Sequence, residues 1–213
     1  MLQFHAALIL LLVVALAGCA NSNQTMGFEE ARAMFAARGV QPGQPLPPLS
    51  LVSLDGRPAS IQSIQGDRPL VIITASLTCN VARRQQKDLN TLREKFGDRV
   101  AFVVVYTIDA HPKGDPCPYT HKEWVPESNV KDNVLVPQPV TLDDRLALAR
   151  QYSDRYCHGT TVLVDTMENA SWIALGEAPN LGLLIDRQGI VSLRQGWFEP
   201  KEMETAISAM LKA

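Results

Sequence analysis

The sequence predicts an α/β fold in which a central mixed sheet is flanked by helices. Leu70–Ala75 is a continuous apolar, β-branched run, which is typical of a buried strand. Residues 81–96 follow with their apolar side chains on one helical face, and residues 100–106 form a second buried strand. Two such strands joined by a helix form a right-handed βαβ unit with parallel strands.

The composition indicates an ordinary globular domain. Apolar residues make up 46% of the 213-residue chain and charged residues 20%, and the formal net charge is −2. This balance argues against a surface that binds nucleic acid and against disorder along the whole chain. The length is sufficient for one domain with a sizeable core.

The N-terminus has the pattern of an export signal. Residues 6–17 are continuously apolar, but this run is too short to span a bilayer, which takes about 20 residues. It matches the apolar region of a signal peptide. The segment Leu16-Ala-Gly-Cys19 resembles a bacterial lipobox, which predicts a signal peptide at residues 1–18 and lipid on Cys19. The alternative is an ordinary secretory signal with an incidental cysteine.

A lipid on Cys19 would hold the protein at a membrane surface without a spanning helix. We therefore expect a lipid-anchored protein of the bacterial cell envelope that faces the periplasm or the exterior. Residues 19–45 are predicted to contain a polar tether and an Ala-rich amphipathic helix at 28–38, which ends at Gly39. Residues 46–213 form the predicted globular domain.

The remaining elements up to the central strand are short. Residues 41–48 contain four prolines and should be extended. Residues 49–54 are predicted to be a strand that enters a tight turn at Asp55-Gly56. Residues 60–64 should form one helical turn.

After the second buried strand, residues 112–140 form a long loop with six prolines. Loops of this length are usually functional or mobile. The pattern then predicts helices at 143–152 and 168–175, with a strand at 161–164 between them. It ends with a hairpin of strands 181–185 and 190–193 and a helix that begins at Pro200.

This order of elements, with Pro179 directly before the hairpin, resembles the thioredoxin fold. In that fold a cis proline precedes the first hairpin strand and packs against the reactive cysteine. The resemblance therefore implies a cis Ala178–Pro179 bond close to Cys79. The alternative is an ordinary trans proline in a turn.

Cys79 lies where the first buried strand passes into the helix. The dipole and free N–H groups of a helix N-terminus favour a thiolate, which is the reactive form of cysteine. The alternative is a small buried cysteine of the core. Thr78 could hydrogen-bond the thiolate or simply end the strand.

The second strand ends in Asp109 and His111, at the edge where sites of parallel sheets are built. His111 could transfer a proton near neutral pH, and Asp109 could orient or charge it. The alternatives are a surface loop histidine and a turn-capping carboxylate.

Two thiol enzyme motifs match only in part. The segment Cys79-Asn-Val-Ala82 lacks the second cysteine of a dithiol oxidoreductase. The peroxiredoxin motif Pro-x-x-x-Thr/Ser-x-x-Cys is matched at its hydroxyl position by Ser76, but Ile72 stands at the proline position.

Four segments resemble the iodothyronine deiodinase family, in the family's order. Ser76-Leu-Thr-Cys79 is similar to the family's Ser-Cys-Thr-Sec, and Tyr106-Thr-Ile-Asp109-Ala-His111 to its Tyr-Ile-Glu-Glu-Ala-His. The segment that begins Leu142-Asp-Asp-Arg resembles its Leu-Glu-Asp-Arg helix. Val164-Asp-Thr-Met-Glu-Asn169 resembles its Leu-Asp-Thr-Met-x-Asn.

The resemblance implies a thiol-dependent reductase that removes a halogen from an aromatic ring. Its nucleophile would be Cys79 in place of selenocysteine, with His111, Asp109 and Thr78 around it. The implied partners are a small-molecule electrophile and a thiol or thioredoxin-like electron donor, and no bound cofactor is implied.

The chain departs from the family pattern at three further positions. Leu77 replaces a cysteine proposed as a resolving partner. Pro139 and Asn180 stand where the family has a histidine and an arginine associated with holding thyroid hormone, so these two changes put an iodothyronine substrate in doubt and leave the redox centre intact. A peroxiredoxin-like thiol peroxidase and a non-catalytic thioredoxin-fold binding module remain alternatives.

Cys117 and Cys157 have two possible roles. In an oxidising compartment they could pair with each other, or one of them could resolve an oxidised Cys79. Only their distance decides this. The chain lacks the Cys/His spacing of a metal site, so no metal is expected.

Overall fold

The structure is a computed structural model that describes residues 28–212. The predicted signal peptide, the polar tether and Cys19 lie outside the described residues. The seven strands are β1 (Leu51–Ser53), β2 (Pro58–Ala59), β3 (Leu70–Ala75), β4 (Ala101–Tyr106), β5 (Thr161–Asp165), β6 (Gly182–Ile185) and β7 (Val191–Gln195). The seven helices are α1 (Phe28–Ala36), α2 (Ile61–Gln65), α3 (Asn80–Phe96), α4 (Glu127–Lys131), α5 (Leu142–Tyr156), α6 (Ala170–Leu175) and α7 (Pro200–Met210).

The strands form one mixed sheet in the order β2-β1-β5-β4-β3-β6-β7. β3, β4 and β5 are parallel, whereas the pairs β3–β6, β6–β7, β1–β5 and β1–β2 are antiparallel. Leu70 pairs with Ala101 and Ala75 with Tyr106, so β3 and β4 end at the same edge. The predicted βαβ unit and mixed sheet are confirmed.

Helices cover both faces of the sheet because successive strand residues point to opposite sides. Val71 and Ile73 pack in the core that includes residues of α3, α5 and α7. Leu70 and Ile72 pack in the second core, with residues of α1, α2 and α6. Every residue of β3 is therefore buried, which explains why its sequence is a continuous apolar run.

α1 is docked onto this domain. Phe35 lies in the second core at 3% exposure. The guanidinium group of Arg194, on β7, donates to the carbonyls of Phe35 (2.7 Å) and Leu175 (2.9 Å) and so joins the C-terminal ends of α1 and α6. The proline-rich segment 41–48 was predicted to be extended, but residues 41–44 form a turn in which the Gln44 N–H donates to the Gln41 carbonyl at 3.1 Å. Pro45 then bridges to Ile190 beside β7.

The structure differs from the predicted elements at several boundaries. α5 begins at Leu142, where Thr141 and Asp144 form a capping box, and it continues to Tyr156. α6 begins only at Ala170, because Asn169 before it is left-handed (φ 55°), and the Asp165 carboxylate accepts the N–H groups of Ser171 and Trp172 in the first turn. The short elements β2 and α4 were not predicted, and α4 lies inside the predicted loop 112–140.

The predicted cis Ala178–Pro179 bond is wrong, because no peptide bond within residues 28–212 is cis. The chain reverses instead at Gly176 and Glu177, which have positive φ angles of 99° and 62°. The Thr74 hydroxyl then donates to the Ala178 carbonyl (2.9 Å) and accepts from the Leu181 N–H (2.8 Å). This arrangement fits a trans bond, which X–Pro pairs prefer intrinsically by about 0.5–1 kcal/mol.

Among residues 28–212, none of the helices combines the length and the apolar character that crossing a membrane requires.

Candidate active site

Cys79 is the N-cap residue of α3, at the edge where β3 ends. Its backbone is extended (φ −74°, ψ 99°), and its Sγ accepts the backbone N–H of Ala82 at 3.4 Å. The Cys79 carbonyl begins the helix by accepting the N–H of Arg83 at 3.1 Å. The cysteine therefore occupies the predicted place between strand and helix, where N–H groups point toward its sulfur.

Burial determines the ionisation of this thiol. Cys79 is 1% exposed, and desolvation raises its pKa from 9.0 to about 11. Hydrogen bonds from the N–H groups of Ala82 and Val81, and the positive charge of Arg83, lower the pKa by less. The expected stabilisation of the thiolate is present but is outweighed, so the thiol is protonated at neutral pH.

The carboxylate of Asp109 organises the turn before Cys79. Its Oδ1 accepts the N–H (3.0 Å) and the hydroxyl (2.8 Å) of Thr78, and its Oδ2 accepts the hydroxyl of Tyr106 (2.8 Å). Tyr106 in turn accepts the N–H of Leu77 (3.0 Å). Burial raises the pKa of Asp109, while these hydrogen bonds and the charge of the buried Arg145 oppose that rise.

These contacts differ from the predicted pairing of Asp109 with His111. Within residues 28–212, no hydrogen bond joins the Asp109 carboxylate to an imidazole, because Thr78 and Tyr106 occupy both oxygens. Asp109 is therefore a positioning residue for the turn that carries Cys79. The hydroxyl proton of Thr78 is likewise directed to Asp109, so it is not available to the sulfur.

Ser76 and Thr78 fasten the end of β3 to the segment after β4. The Ser76 hydroxyl accepts the N–H of Ala110 at 3.2 Å, and the Thr78 hydroxyl accepts the N–H of His111 at 3.0 Å. Thr78 therefore contacts both sides of the site, as the residue before Cys79 and as the acceptor that fixes the backbone of His111.

His111 is a buried, neutral imidazole. His111 is 8% exposed, and its ring packs edge to face against the ring of Trp124, with the ring centroids 4.5 Å apart. Desolvation first and the charge of Arg83 second lower its pKa from 6.5 to about 4, against a hydrogen bond to the backbone of Trp124. Its Nδ1 is buried without a hydrogen-bond partner in the described part of the chain.

The residues that close the site were not predicted from the sequence. We call residues 112–140 the lid. Asn129 of α4 is fully buried, and its Nδ2 donates to the Thr78 carbonyl at 2.8 Å while its Oδ1 accepts from Arg83 at 3.0 Å. Arg83 also donates to the Leu77 carbonyl at 2.7 Å. These contacts hold the lid over the turn that carries Cys79.

Gln138 makes a second attachment of the lid. Its amide pairs with the backbone of Asp109, accepting the N–H at 2.9 Å and donating to the carbonyl at 3.0 Å. Gln138 directly precedes Pro139, the position compared with a histidine of the deiodinase pattern, and this neighbourhood was the only signal for the contact. Arg83 and Asn129 carried no such signal, because their partners are distant in sequence.

The three described cysteines, Cys79, Cys117 and Cys157, are buried free thiols, so the structure contains no Cys117–Cys157 disulfide. Cys157 follows Tyr156, whose carbonyl accepts from Asn90 at 2.8 Å. Asn90 lies eleven residues after Cys79 along α3, which corresponds to about 16 Å at 1.5 Å per residue. Cys157 therefore lies beside the middle of α3, whereas Cys79 begins that helix. Burial raises the pKa of Cys157 to about 12.

Cys117 belongs to the lid and lies on the same side as Cys79. The charges of both thiols contribute to raising the pKa of Tyr119, after burial, which is the main cause. The charges of Cys79 and Cys157 likewise contribute to raising the pKa of Tyr152, again after burial, so neither thiol is singled out as the resolving partner. Within residues 28–212, no group of three or more His, Cys, Asp or Glu side chains is arranged to hold a metal ion.

Solved structures with the same arrangement of strands and helices share little sequence with this chain. The thioredoxin domain of a thiol-disulfide oxidoreductase from Bacteroides vulgatus superposes with a TM-score of 0.55 at 9% identity, covering 80% of this chain and 98% of that one. A hypothetical protein from Sinorhizobium meliloti 1021 has a TM-score of 0.57 at 14% identity, with 82% and 86% covered. These likenesses show a thioredoxin-like fold.

Curated relatives and a family model give a narrower assignment. The chain is 29% identical over 136 residues to thyroxine 5-deiodinase of Homo sapiens, covering 63% of this chain and 41% of that protein. It is 27% identical over 164 residues to thyroxine 5-deiodinase of Gallus gallus, covering 73% and 59%. The chain thus spans about two-fifths to three-fifths of these relatives. The model of iodothyronine deiodinase matches residues 27–205, and the chain therefore belongs to the iodothyronine deiodinase family.

Proposed function

We propose that the protein is a thiol-dependent oxidoreductase in which Cys79 attacks a small electrophile. The observation that carries this proposal is the double role of Thr78. It directly precedes the cysteine at the N-terminus of α3, and it fixes the backbone of the neutral His111 through a 3.0 Å hydrogen bond. A nucleophile and a proton-transfer group are therefore held by one turn, which Asp109 positions.

The proposed step must remove a proton from a thiol whose pKa is about 11. The neutral imidazole of His111 has an unpartnered Nδ1 to accept it. Because burial lowers the pKa of His111 to about 4, this transfer requires the lid to open and the imidazole to regain contact with water. With an aryl iodide, the Cys79 sulfur takes the iodine while the ring carbon receives the proton, which gives the deiodinated arene and a sulfenyl iodide. One external thiol displaces iodide to form a mixed disulfide, and a second thiol restores Cys79 and leaves as a disulfide.

A second candidate reaction is the reduction of a peroxide. Cys79 would attack the peroxide oxygen, releasing an alcohol or water and forming a sulfenic acid, which two external thiols would return to the thiol with release of water and a disulfide. Asn180 favours this candidate. It is fully buried and donates to Gln85, so it presents no cation where the family has an arginine associated with holding thyroid hormone. We therefore expect peroxide or disulfide turnover to be easier to detect than loss of iodide.

Both reactions require the lid to move, because Cys79 is 1% exposed in the closed structure. The proposed partners are a small electrophile and a thiol or thioredoxin-like electron donor. We also propose that Cys19 carries a lipid that holds the protein on the outer side of a bacterial membrane. If Cys79 does not turn over, the non-catalytic binding module is the better description of the domain.

The deciding experiment is steady-state turnover with hydrogen peroxide and with an iodinated phenol, each supplied with excess dithiothreitol. Cys79→Ser should abolish activity, because a hydroxyl is a far poorer nucleophile than a thiolate. His111→Ala should slow turnover roughly 10²–10⁴-fold while leaving Cys79 open to alkylation. Cys157→Ser is the matched control, since it removes another buried thiol, one that follows α5 rather than preceding α3. Retained activity in Cys79→Ser would end the proposal.

A further inference from the structure

A cavity of about 270 Å³ lies beside the turn that carries Cys79. It is lined by Asn80, Arg83, Arg84, Ser128, Asp132 and Tyr156. Asn80 directly follows Cys79, and Ser128 and Asp132 come from the lid. The volume is just below the usual range of small-molecule sites, about 300–1,000 Å³, so the cavity suits a small ligand or one end of a larger one.

The charges that line this cavity do not cancel. Arg83 is bound by Asp132 at 3.0 Å and by Asn129, so its charge is met within the protein. Arg84 is exposed, and no carboxylate of residues 30–212 lies within ion-pair distance of it. The cavity therefore holds one unmatched positive charge.

A second observation points to a missing acceptor or donor. The Oγ of Ser128 is buried at the cavity and has no hydrogen-bond partner in the described part of the chain. Buried hydroxyl groups are nearly always hydrogen-bonded, and an unsatisfied one costs about 1–3 kcal/mol. The Oγ is closed off from solvent in this structure, so a ligand oxygen reaches it only when the lid moves, whereas the guanidinium group of Arg84 is already exposed.

We propose that this cavity binds the carboxylate of a small organic anion. A guanidinium group matches the two oxygens of a carboxylate in a planar, bidentate pair. The carboxylate of Asp132 in the same wall disfavours a doubly charged phosphate, because it would bring a third negative charge close to two positive ones. A singly charged carboxylate leaves the cavity neutral.

The position of the cavity suggests which molecules bring this carboxylate. The reaction proposed above uses a thiol reductant and an electrophile, and a carboxylate held next to Asn80 would anchor either one beside Cys79. This assignment of the source rests on the proposed function. The binding itself does not, because it can be measured with probes that undergo no reaction.

The test is isothermal titration calorimetry of the full reduced chain with S-methylglutathione and with 3-(4-hydroxyphenyl)propionate. We expect at least one probe to bind, and Arg84→Gln to weaken that binding by roughly 10- to 100-fold, the loss of one charge-assisted hydrogen-bonded pair. Arg187→Gln is the matched control, since it removes an exposed arginine at the β6–β7 turn, at the opposite end of the sheet from Cys79.

The probe that binds shows which ligand brings the carboxylate. Binding of S-methylglutathione indicates a thiol reductant, and binding of 3-(4-hydroxyphenyl)propionate indicates an electrophilic substrate. A neutral amide of the bound probe should bind at least about tenfold more weakly. Equal affinity in wild type and Arg84→Gln, no binding of either probe at millimolar concentration, or tighter binding of inorganic phosphate would overturn the proposal. An inactive but probe-binding protein would refute only the enzymatic function.

Discussion

The alkylation rate of Cys79 should rise steadily with pH, because the structure assigns the thiol a raised pKa. The experiment raises the pH from 7 to 10. It uses a variant in which Cys19, Cys117 and Cys157 are replaced by Ser, so that Cys79 is the only remaining cysteine. Only the thiolate reacts, so the rate should increase about tenfold for each pH unit across this range.

The size of the effect follows from the pKa of about 11. At pH 7 roughly one Cys79 in 10⁴ is a thiolate, whereas a free cysteine with a pKa of about 8.5 is about 3% ionised. Ionisation alone should therefore make Cys79 roughly 300-fold slower than a free thiol at pH 7. Burial beneath the lid adds to this difference.

The assay is the rate of iodoacetamide labelling, followed by intact-protein mass spectrometry, with circular dichroism to show that the chain stays folded. Asn129→Ala should accelerate labelling, because it removes the lid's hydrogen bonds to Thr78 and Arg83. Loss of these buried bonds, about 1–3 kcal/mol, favours local opening. Ser128→Ala is the control on the same helix. A labelling rate that levels off below about pH 8 in the folded single-cysteine variant would refute the reasoning. It would mean that the helix N-terminus lowers the pKa of Cys79 more than burial raises it.

Three other predictions concern the rest of the chain. Tyr106→Phe should lower the free energy of unfolding, measured by urea titration, by about 2–4 kcal/mol. The substitution removes a hydrogen bond to the Asp109 carboxylate and leaves the buried N–H of Leu77 without an acceptor. Tyr156→Phe is the control and should change the free energy of unfolding little. Folding lowers the pKa of His111, so the unfolded state binds more protons than the folded state between pH 6.5 and about 4. The free energy of unfolding should therefore fall by up to about 3 kcal/mol as the pH drops through this window. Parallel plots of unfolding free energy against pH for wild type and His111→Gln would contradict this. Cys19→Ser should release the protein from membranes or leave its leader uncleaved, and a lipid-free mature chain beginning at another residue would disprove the anchor.

The periodicity of the sequence was sufficient to predict the central strands and helix of the fold. β3 and α3 were predicted to within one residue because burial on both faces of a strand, and on one face of a helix, leaves patterns that depend only on local spacing. α4 was missed because a five-residue helix has too few turns to show a period. The trans bond before Pro179 depends on the turn at Gly176 and Glu177 and on Thr74, about one hundred residues earlier.

The candidate site was predicted in position but not in its internal contacts. Cys79, Asp109 and His111 come together because parallel neighbours end at one edge, which the order of elements implies. The partner of Asp109 was predicted incorrectly, because spacing along an extended strand does not reveal that Tyr106 and Thr78 reach the carboxylate first. The burial of Cys79 depends on the lid, whose anchoring residue Asn129 lies fifty residues further along the chain.

The bond between Arg194 and the end of α1 sets how far the domain could travel from a membrane. α1 is hydrogen-bonded to the domain that carries Cys79, so a lipid on Cys19 would be separated from that domain only by residues 20–27. Eight fully extended residues reach at most about 29 Å, roughly the diameter of one small domain. The edge of the sheet that carries Cys79 would then stay within a thin layer above the lipid surface. Soluble reductants would have to diffuse into that layer, and a reductant anchored in the same membrane would meet Cys79 far more often than one free in bulk solution.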